Sequence, residues 1–207
     1  MEKKKINNNG FEYVDLGLPS GTLWAACNVG ATKSVDYGLY FQWGDTKGYA
    51  KDQIGSSKGK KMFGIDWSDY KFGASPNFTK YNTCGSALEL EDDAAHVNMG
   101  GDWHIPTPEQ IKELGDNTIS KWMVLDSASG LAFTSKKDKS KFIFIPAAGY
   151  AWNGSVDDSG RSGSVWSSMQ SANRINYSHS LDFYDGGQHV YGRSMRFLGF
   201  SVRGVIG

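Results

Sequence analysis

Apolar residues alternate with polar ones, or run together for four to seven positions, at intervals along this chain, and that spacing predicts short strands more often than helices. Tyr13-Val14-Asp15-Leu16 and Thr22-Leu23-Trp24-Ala25 are two such runs, joined across Leu18-Pro19-Ser20-Gly21, whose Pro and Gly mark a turn. Tyr37 to Trp43 is a third, aromatic run. Further strands are expected at Trp122 to Leu125, Leu131 to Thr134, Phe142 to Ile145, Val165 to Ser168, Ser178 to Tyr184 and Phe200 to Val205. Residues 46–79 keep neither period and read as a long surface excursion. Two helices stand out. Asp92 to Met99 opens on acids that complement a helix N-terminus and stops at Gly100-Gly101. The second has Thr107 as N-cap, Pro108 at the first helical position, Gln110 completing a capping box, Ile111 and Leu114 on one face and Gly115 as its stop. Strands, then helices, then strands, without βαβ alternation, predict an α+β domain with a mainly antiparallel sheet and two short helices. Residues 1–10 read as a flexible segment ahead of a single domain over 11–207.

Within Ser178 to Tyr184 the strand period points Leu181 and Phe183 inward and Ser180, Asp182 and Tyr184 outward. Composition makes this region stand out further. The chain has 207 residues and no net charge, yet all 17 Lys lie in residues 1–160 and all five Arg in 161–207. The first section carries 20 acids and the second two, so they differ in sign, −3 against +3. A random scatter would place every Arg in that tail roughly once in a thousand chains. Ser, Gly, Asn, Tyr, His and Arg, with Lys and Glu absent, are the residues of a paratope: rigid aromatics and Arg give contact area, and small polar residues give adaptable hydrogen bonds.

The chemistry visible elsewhere is sparse. Zero net charge argues against nucleic acid as a partner. No apolar run approaches the roughly 18 residues of a membrane span, and no apolar segment follows the basic start to make a signal peptide. Cys27 and Cys84 lack a CxxC spacing and read as two small buried residues. His96 and His104 are not spaced as an HExxH pair, and Glu91-Asp92-Asp93 read as dipole complements of a helix. His104 reads as a hydrogen-bonded core or loop residue, and Trp24, Trp43, Trp103 and Trp166 as packing residues. With no nucleophile elbow or P-loop, neither catalysis nor a cofactor or metal is expected.

Several blocks carry a resemblance. Tyr13 to Ala25, Cys27-Asn28-Val29-Gly30-Ala31, Tyr40-Phe41-Gln42-Trp43-Gly44, Glu91 to Ala95, Trp103-His104-Ile105-Pro106-Thr107, Ile145 to Tyr150, Trp166-Ser167-Ser168 and Gly199-Phe200-Ser201-Val202-Arg203 resemble, in order, the Fibrobacter succinogenes major paralogous domain family. The resemblance runs from about Phe11 to Val205 and departs at Arg203-Gly204-Val205, where Pro usually follows the Arg. It implies a C-type lectin fold of the subtype shared with formylglycine-generating enzymes. Those relatives act through a C-terminal cysteine pair, and residues 85–207 contain no Cys. The calcium-type Glu-Pro-Asn and Trp-Asn-Asp motifs are absent too.

The stretch from Val165 to Leu198 is similar to the variable region of diversity-generating retroelement proteins, the phage tropism determinants among them, in which adenine-rich codons are randomised. Trp166, Ser167, Ser168, Leu181, Phe183, Val190 and Arg196 resemble its fixed posts. The resemblance implies ligand contact, within a variable region of about 161–198, by Met169, Ser171, Asn173, Arg174, Asn176, Tyr177, His179, Asp182, Tyr184, Asp185, His189, Tyr191, Arg193, Ser194, Met195 and Phe197. The ligand it implies is a protein or glycan on a target cell, and the place of action a phage virion or a cell surface reached by a non-classical route. The alternative is a fixed structural or adhesive module of a bacterial surface assembly.

Overall fold

Turn chemistry and burial cut this chain into many short strands. The computed structural model describes residues 5–6, 9–57, 60–61 and 63–207, with backbone alone for 5–6, 56–57, 60–61 and 188–191. In chain order the elements are β1 (Lys5–Ile6), β2 (Glu12–Asp15), β3 (Leu23–Ala25), β4 (Ser56–Ser57), β5 (Lys60–Lys61), α1 (Ala94–Met99), α2 (Pro108–Asn117), β6 (Thr118–Leu125), β7 (Ala128–Ser135), β8 (Phe142–Pro146), β9 (Tyr150–Trp152), β10 (Ser155–Asp157), β11 (Ser162–Gln170), β12 (Tyr177–Tyr184), β13 (Gly187–Met195) and β14 (Val205–Ile206). The strands form sheets ordered β1-β2-β3-β14, β6-β7-β8 and β11-β12-β13, with two-stranded ribbons β4-β5 and β9-β10, and every strand pair is antiparallel. The architecture is therefore mostly antiparallel β-sheet with few helices.

Two core clusters sit on either side of the β11-β12-β13 sheet. One gathers Trp24, Ile111 and Leu114 with Leu131, Phe133, Ile143, Ile145, Val165, Leu181 and Phe183, so α2 closes this side. The other gathers Trp43, Trp103, Trp166, Phe197 and Phe200 with Tyr70, Phe72, Phe78 and Tyr81. Val165 and Trp166 are neighbours on one strand and both buried, 1% and 0% exposed, because each pleat meets a different core. This sheet is thus covered on both faces along its middle.

Several expectations change. The excursion over residues 46–79 is built into the interior: Tyr49, Ile54, Ile65, Tyr70, Phe72 and Phe78 are all buried. Its aromatics supply the apolar area that an irregular backbone cannot, and Tyr70 donates its hydroxyl hydrogen bond to the Trp43 carbonyl at 2.9 Å. Tyr37 to Trp43 is no strand but pairs only at single positions, Tyr40 with Tyr49 and Phe41 with Phe200. Ahead of Phe11, Lys5–Ile6 pairs with Glu12–Tyr13, while residues 1–4 and 7–8 lie outside the described residues. Cys84 is exposed and Cys27 half-buried, so neither is the buried residue expected. Among the described residues, no helix is long and apolar enough to cross a membrane.

Candidate functional site

β12 runs between β11 and β13, with Val165 opposite Leu181, His179 opposite Arg193 and Tyr177 opposite Met195. The register shifts between Ser180 and Asp182, where β13 spends three residues against two of β12, a bulge of the kind that increases local twist. Gly192 lies opposite Ser180, and a Cβ there would collide with the side chains of Asp182 and Ser180. A side chain at that point requires Asp182 and Ser180 to turn aside, although it lies inside the expected variable stretch.

The β11–β12 connection turns tightly. Tyr177 N donates to the Arg174 carbonyl at 3.0 Å, and Ser171 N to the Tyr177 carbonyl at 2.9 Å. Ser171 Oγ donates to Asn173 Oδ1 at 3.0 Å, which in turn accepts from Arg193 at 3.2 Å. The Arg174 guanidinium stands 5.2 Å from the centre of the Tyr177 ring. Asn173, Arg174, Tyr177, His179 and Arg193 therefore form one neighbourhood, with Asn176 half-buried beside it. Asn173, Arg174 and Arg193 are exposed, whereas Tyr177 and His179 are half-buried.

Asp182, Tyr184 and Asp185 form a second neighbourhood. Tyr184 is 44% exposed, Asp185 exposed and Asp182 half-buried. The strand period puts Asp182 and Tyr184 on the opposite pleat from Tyr177 and His179, and the seven steps from Tyr177 to Tyr184 span about 23 Å. The expected residues thus occupy two patches rather than one. His189 and Tyr191 belong to β13, and their side chains lie outside the described ones.

Two expected contact residues are corrected. Ser171 is 0% exposed, because its carbonyl accepts from Gly85 N and its hydroxyl holds the turn together. Phe197 is 6% exposed and lies in the aromatic core, its ring 4.7 Å from that of Trp67. Met195 is half-buried against the same core, Ser194 and Met169 are half-buried, and Met169 bridges to Ala87. Ser180 is 0% exposed rather than outward-facing, since its pleat packs beside Trp166. Arg196 and Arg203 are also fully buried, so only Arg161, Arg174 and Arg193 present their charge to solvent.

Burial, and then the Arg193 charge across the strand pair, push the His179 imidazole below the usual histidine value, with Glu109 at the start of α2 pulling weakly the other way. The sign follows from linkage. The unfolded chain takes up this proton near pH 6.5 and the folded one only at lower pH, so the stability tied to neutral His179 is complete above that value and drains away as pH falls below it. Urea midpoints at pH 7 and pH 5 should therefore fall further in the wild-type chain than in His179→Gln. Equal falls would show that the imidazole is freely solvated.

The oxygens of Glu89, Glu91 and Asp92 lie within 4.8 Å of one another, a spacing that could suit a cation. Lys80 already bridges all three at 2.7, 2.8 and 2.5 Å, and Lys71 reaches Asp92 at 2.5 Å. Burial raises the Asp92 carboxyl, but the hydrogen bonds from Lys71, Lys80 and Tyr81 outweigh it and hold the group below the usual range. Asp93 accepts from His96 N at 2.9 Å as the cap of α1 and from Ile105 N at 2.8 Å. These acids are structural. His104 likewise bridges backbone, its ring nitrogens 3.0 and 3.2 Å from the Ile105 and Gly207 carbonyls. No protein-family model, curated protein or solved structure matches this chain.

Proposed function

We propose that this chain is a ligand-binding protein with a C-type lectin fold of the formylglycine-generating-enzyme subtype, whose segment over about 161–198 is a recognition surface diversified by a retroelement. One observation carries the reading: within a single stretch the described fixed positions are all buried, while the changeable ones are exposed or half-buried except Ser171 and Phe197. Val165, Trp166, Leu181, Phe183 and Arg196 are at most 1% exposed, while Asn173, Arg174, Tyr184, Asp185 and Arg193 between them face water. Replacing exposed residues costs little stability, so a frame of this kind accepts many surfaces. The surface binds a protein or glycan on a target cell and does no chemistry of its own; a phage virion or a cell surface is where such a protein works.

The runner-up, a fixed adhesive module, draws on a different observation. Two of the five tail arginines are interior groups, so part of the Lys/Arg partition belongs to the frame. Sequencing the locus separates the two. A reverse transcriptase gene beside a near-copy of the segment, differing at adenines, is the expected result, and a locus without either leaves the fixed module. At the protein level, simultaneous alanines at Asn173, Arg174, Tyr184, Asp185 and Arg193 should abolish binding to whichever target the wild-type chain captures in a surface-display screen. The melting temperature should stay within a few degrees. A large drop would show these side chains to be part of the fold.

A further inference from the structure

We infer that the patch around Arg174 and Arg193 takes a carboxylate-bearing protein segment, its Asp or Glu side chains seated on the two guanidinium groups beside Tyr177. The inference rests on the recognition reading and names the ligand class for this copy of the surface.

Among the described residues, the two arginines are cations of one patch that no acid of the chain neutralises. The ion pairs among the described residues use lysines 71, 80 and 112, and neither Arg174 nor Arg193 has a described acid within 4 Å. Both are nevertheless held in place, and by neutral groups. Arg193 spends one N–H on Asn173 Oδ1 at 3.2 Å, and Arg174 lies against the Tyr177 ring at 5.2 Å. Such partners restrict the side chains without cancelling their charge, so part of the entropy of ordering them is met before a ligand arrives. Arg193 keeps four N–H donors and Arg174 five, in planar forks that match a carboxylate. Because Asn173 adjoins Arg174 in sequence and bonds Arg193, the two forks belong to one small area. His179, across the strand pair from Arg193, is uncharged at neutral pH, and Glu109 is the acid that faces it from α2.

The same geometry favours a protein over a glycan. A sugar ring needs a bare aromatic face to stack on, and the Arg174 guanidinium already lies over that of Tyr177. What remains open is charge on a strand-and-turn surface, which suits two carboxylates on flexible side chains.

The test uses the whole chain and three probes at about 20 mM salt: an eight-residue peptide alternating Glu and Ser, the same peptide with Gln for Glu, and tetragalacturonate. Titration calorimetry should give submillimolar binding for the Glu peptide, at least tenfold weaker binding for the Gln peptide, and a loss of affinity as salt rises. The double variant R174Q/R193Q should bind the Glu peptide no better than the Gln peptide while melting within a few degrees of wild type. Equal affinity for the two peptides, undiminished binding by the double variant, or no binding of the Glu peptide overturns the inference. Tetragalacturonate binding as tightly as the Glu peptide, through the same two arginines, replaces the protein with an acidic glycan. The recognition reading fails separately: a locus without a template copy removes it even if the arginine-dependent binding stands, and a template beside arginine-independent binding removes only the ligand class.

Discussion

Replacing Arg203 with Ala should lower the stability of the fold by about 4 kcal/mol, and its melting temperature by roughly 10 °C. Arg203 is 0% exposed, and all three of its nitrogens donate at 2.9 Å: Nε to Asn28 Oδ1, one terminal nitrogen to the Ala25 carbonyl and the other to the Phe144 carbonyl. Ala25 ends β3 and Phe144 lies in β8, so one side chain ties the sheet made by the two chain ends to the β6-β7-β8 sheet. Burial pushes the guanidinium down to about 10, partly opposed by Cys27, and the group is still charged at pH 7. Truncation leaves three buried acceptors without a donor, at about 1–3 kcal/mol each, and a cavity as well; the charge no longer desolvated offsets part of that loss. Arg203→Lys should recover only part, because a single ammonium cannot match a planar three-way fork. Thermal melts of both variants decide the matter. A loss under about 1 kcal/mol for the alanine variant would mean that water replaces the guanidinium and that the two sheets hold together without it.

How far the sequence foretells this structure depends on how local each signal is. The start of α2 is legible because its chemistry lies within four residues: Thr107 Oγ1 accepts from Gln110 N at 3.2 Å, and the Gln110 side chain accepts from Thr107 N at 2.9 Å. Its end is not. The helix runs through Gly115 to Asn117, with the Asn117 side chain donating to the Glu113 carbonyl and the Thr118 hydroxyl to that of Leu114. Those side chains satisfy the last turn, so the glycine need not stop it. β7, β8 and β12 announce themselves by apolar period, but β13 does not, because Gly187 and Gly192 dilute its pattern and its pairing with β12 is long-range information. The pleat of Ser180 is misread for a related reason. Period 2 separates two faces of a strand, but only the partner elements decide whether either face meets water, and here Trp166 and the aromatic core cover the one that looks polar. The candidate site follows the same rule. Asn173, Arg174 and Arg193 are exposed as a paratope-like composition suggests, whereas Ser171 and Phe197 are claimed by a turn and by a core assembled from residues more than a hundred positions away.

Arg196 gives the sharpest contrast between a charged group and its shape, and its two truncations should differ by several kcal/mol. Its guanidinium lies 3.9 Å from the Phe78 ring centre and 5.5 Å from those of Trp43 and Tyr70, and it donates one hydrogen bond, at 2.9 Å, to the Tyr81 carbonyl. Among the described residues, Nε and the second terminal nitrogen have no acceptor and no carboxylate pairs with the group, and burial holds its pKa below the usual arginine value. Arg196→Ala removes the long apolar stem as well as the charge, and the space left among these three aromatic rings should cost about 3–5 kcal/mol. Arg196→Met keeps a similar volume, fills the cage with a thioether that packs well on rings, and eliminates two orphaned donors together with a buried charge. Its cost should stay below about 1.5 kcal/mol, since the lost Tyr81 bond and ring attraction are offset by the desolvation no longer incurred. The backbone of residue 196 would be untouched in either variant: its N–H donates to the Asn176 carbonyl at 3.0 Å and its carbonyl accepts from Trp43 N at 2.9 Å. The turn bearing Asn173 and Arg174 hangs from the first of these bonds, so the methionine variant should bind the acidic peptide as the wild-type chain does. Urea midpoints for the pair provide the test. If methionine proves as damaging as alanine, the attraction of the rings for the cation exceeds the cost of burying it, and Arg196 holds the binding turn through its charge rather than through its shape.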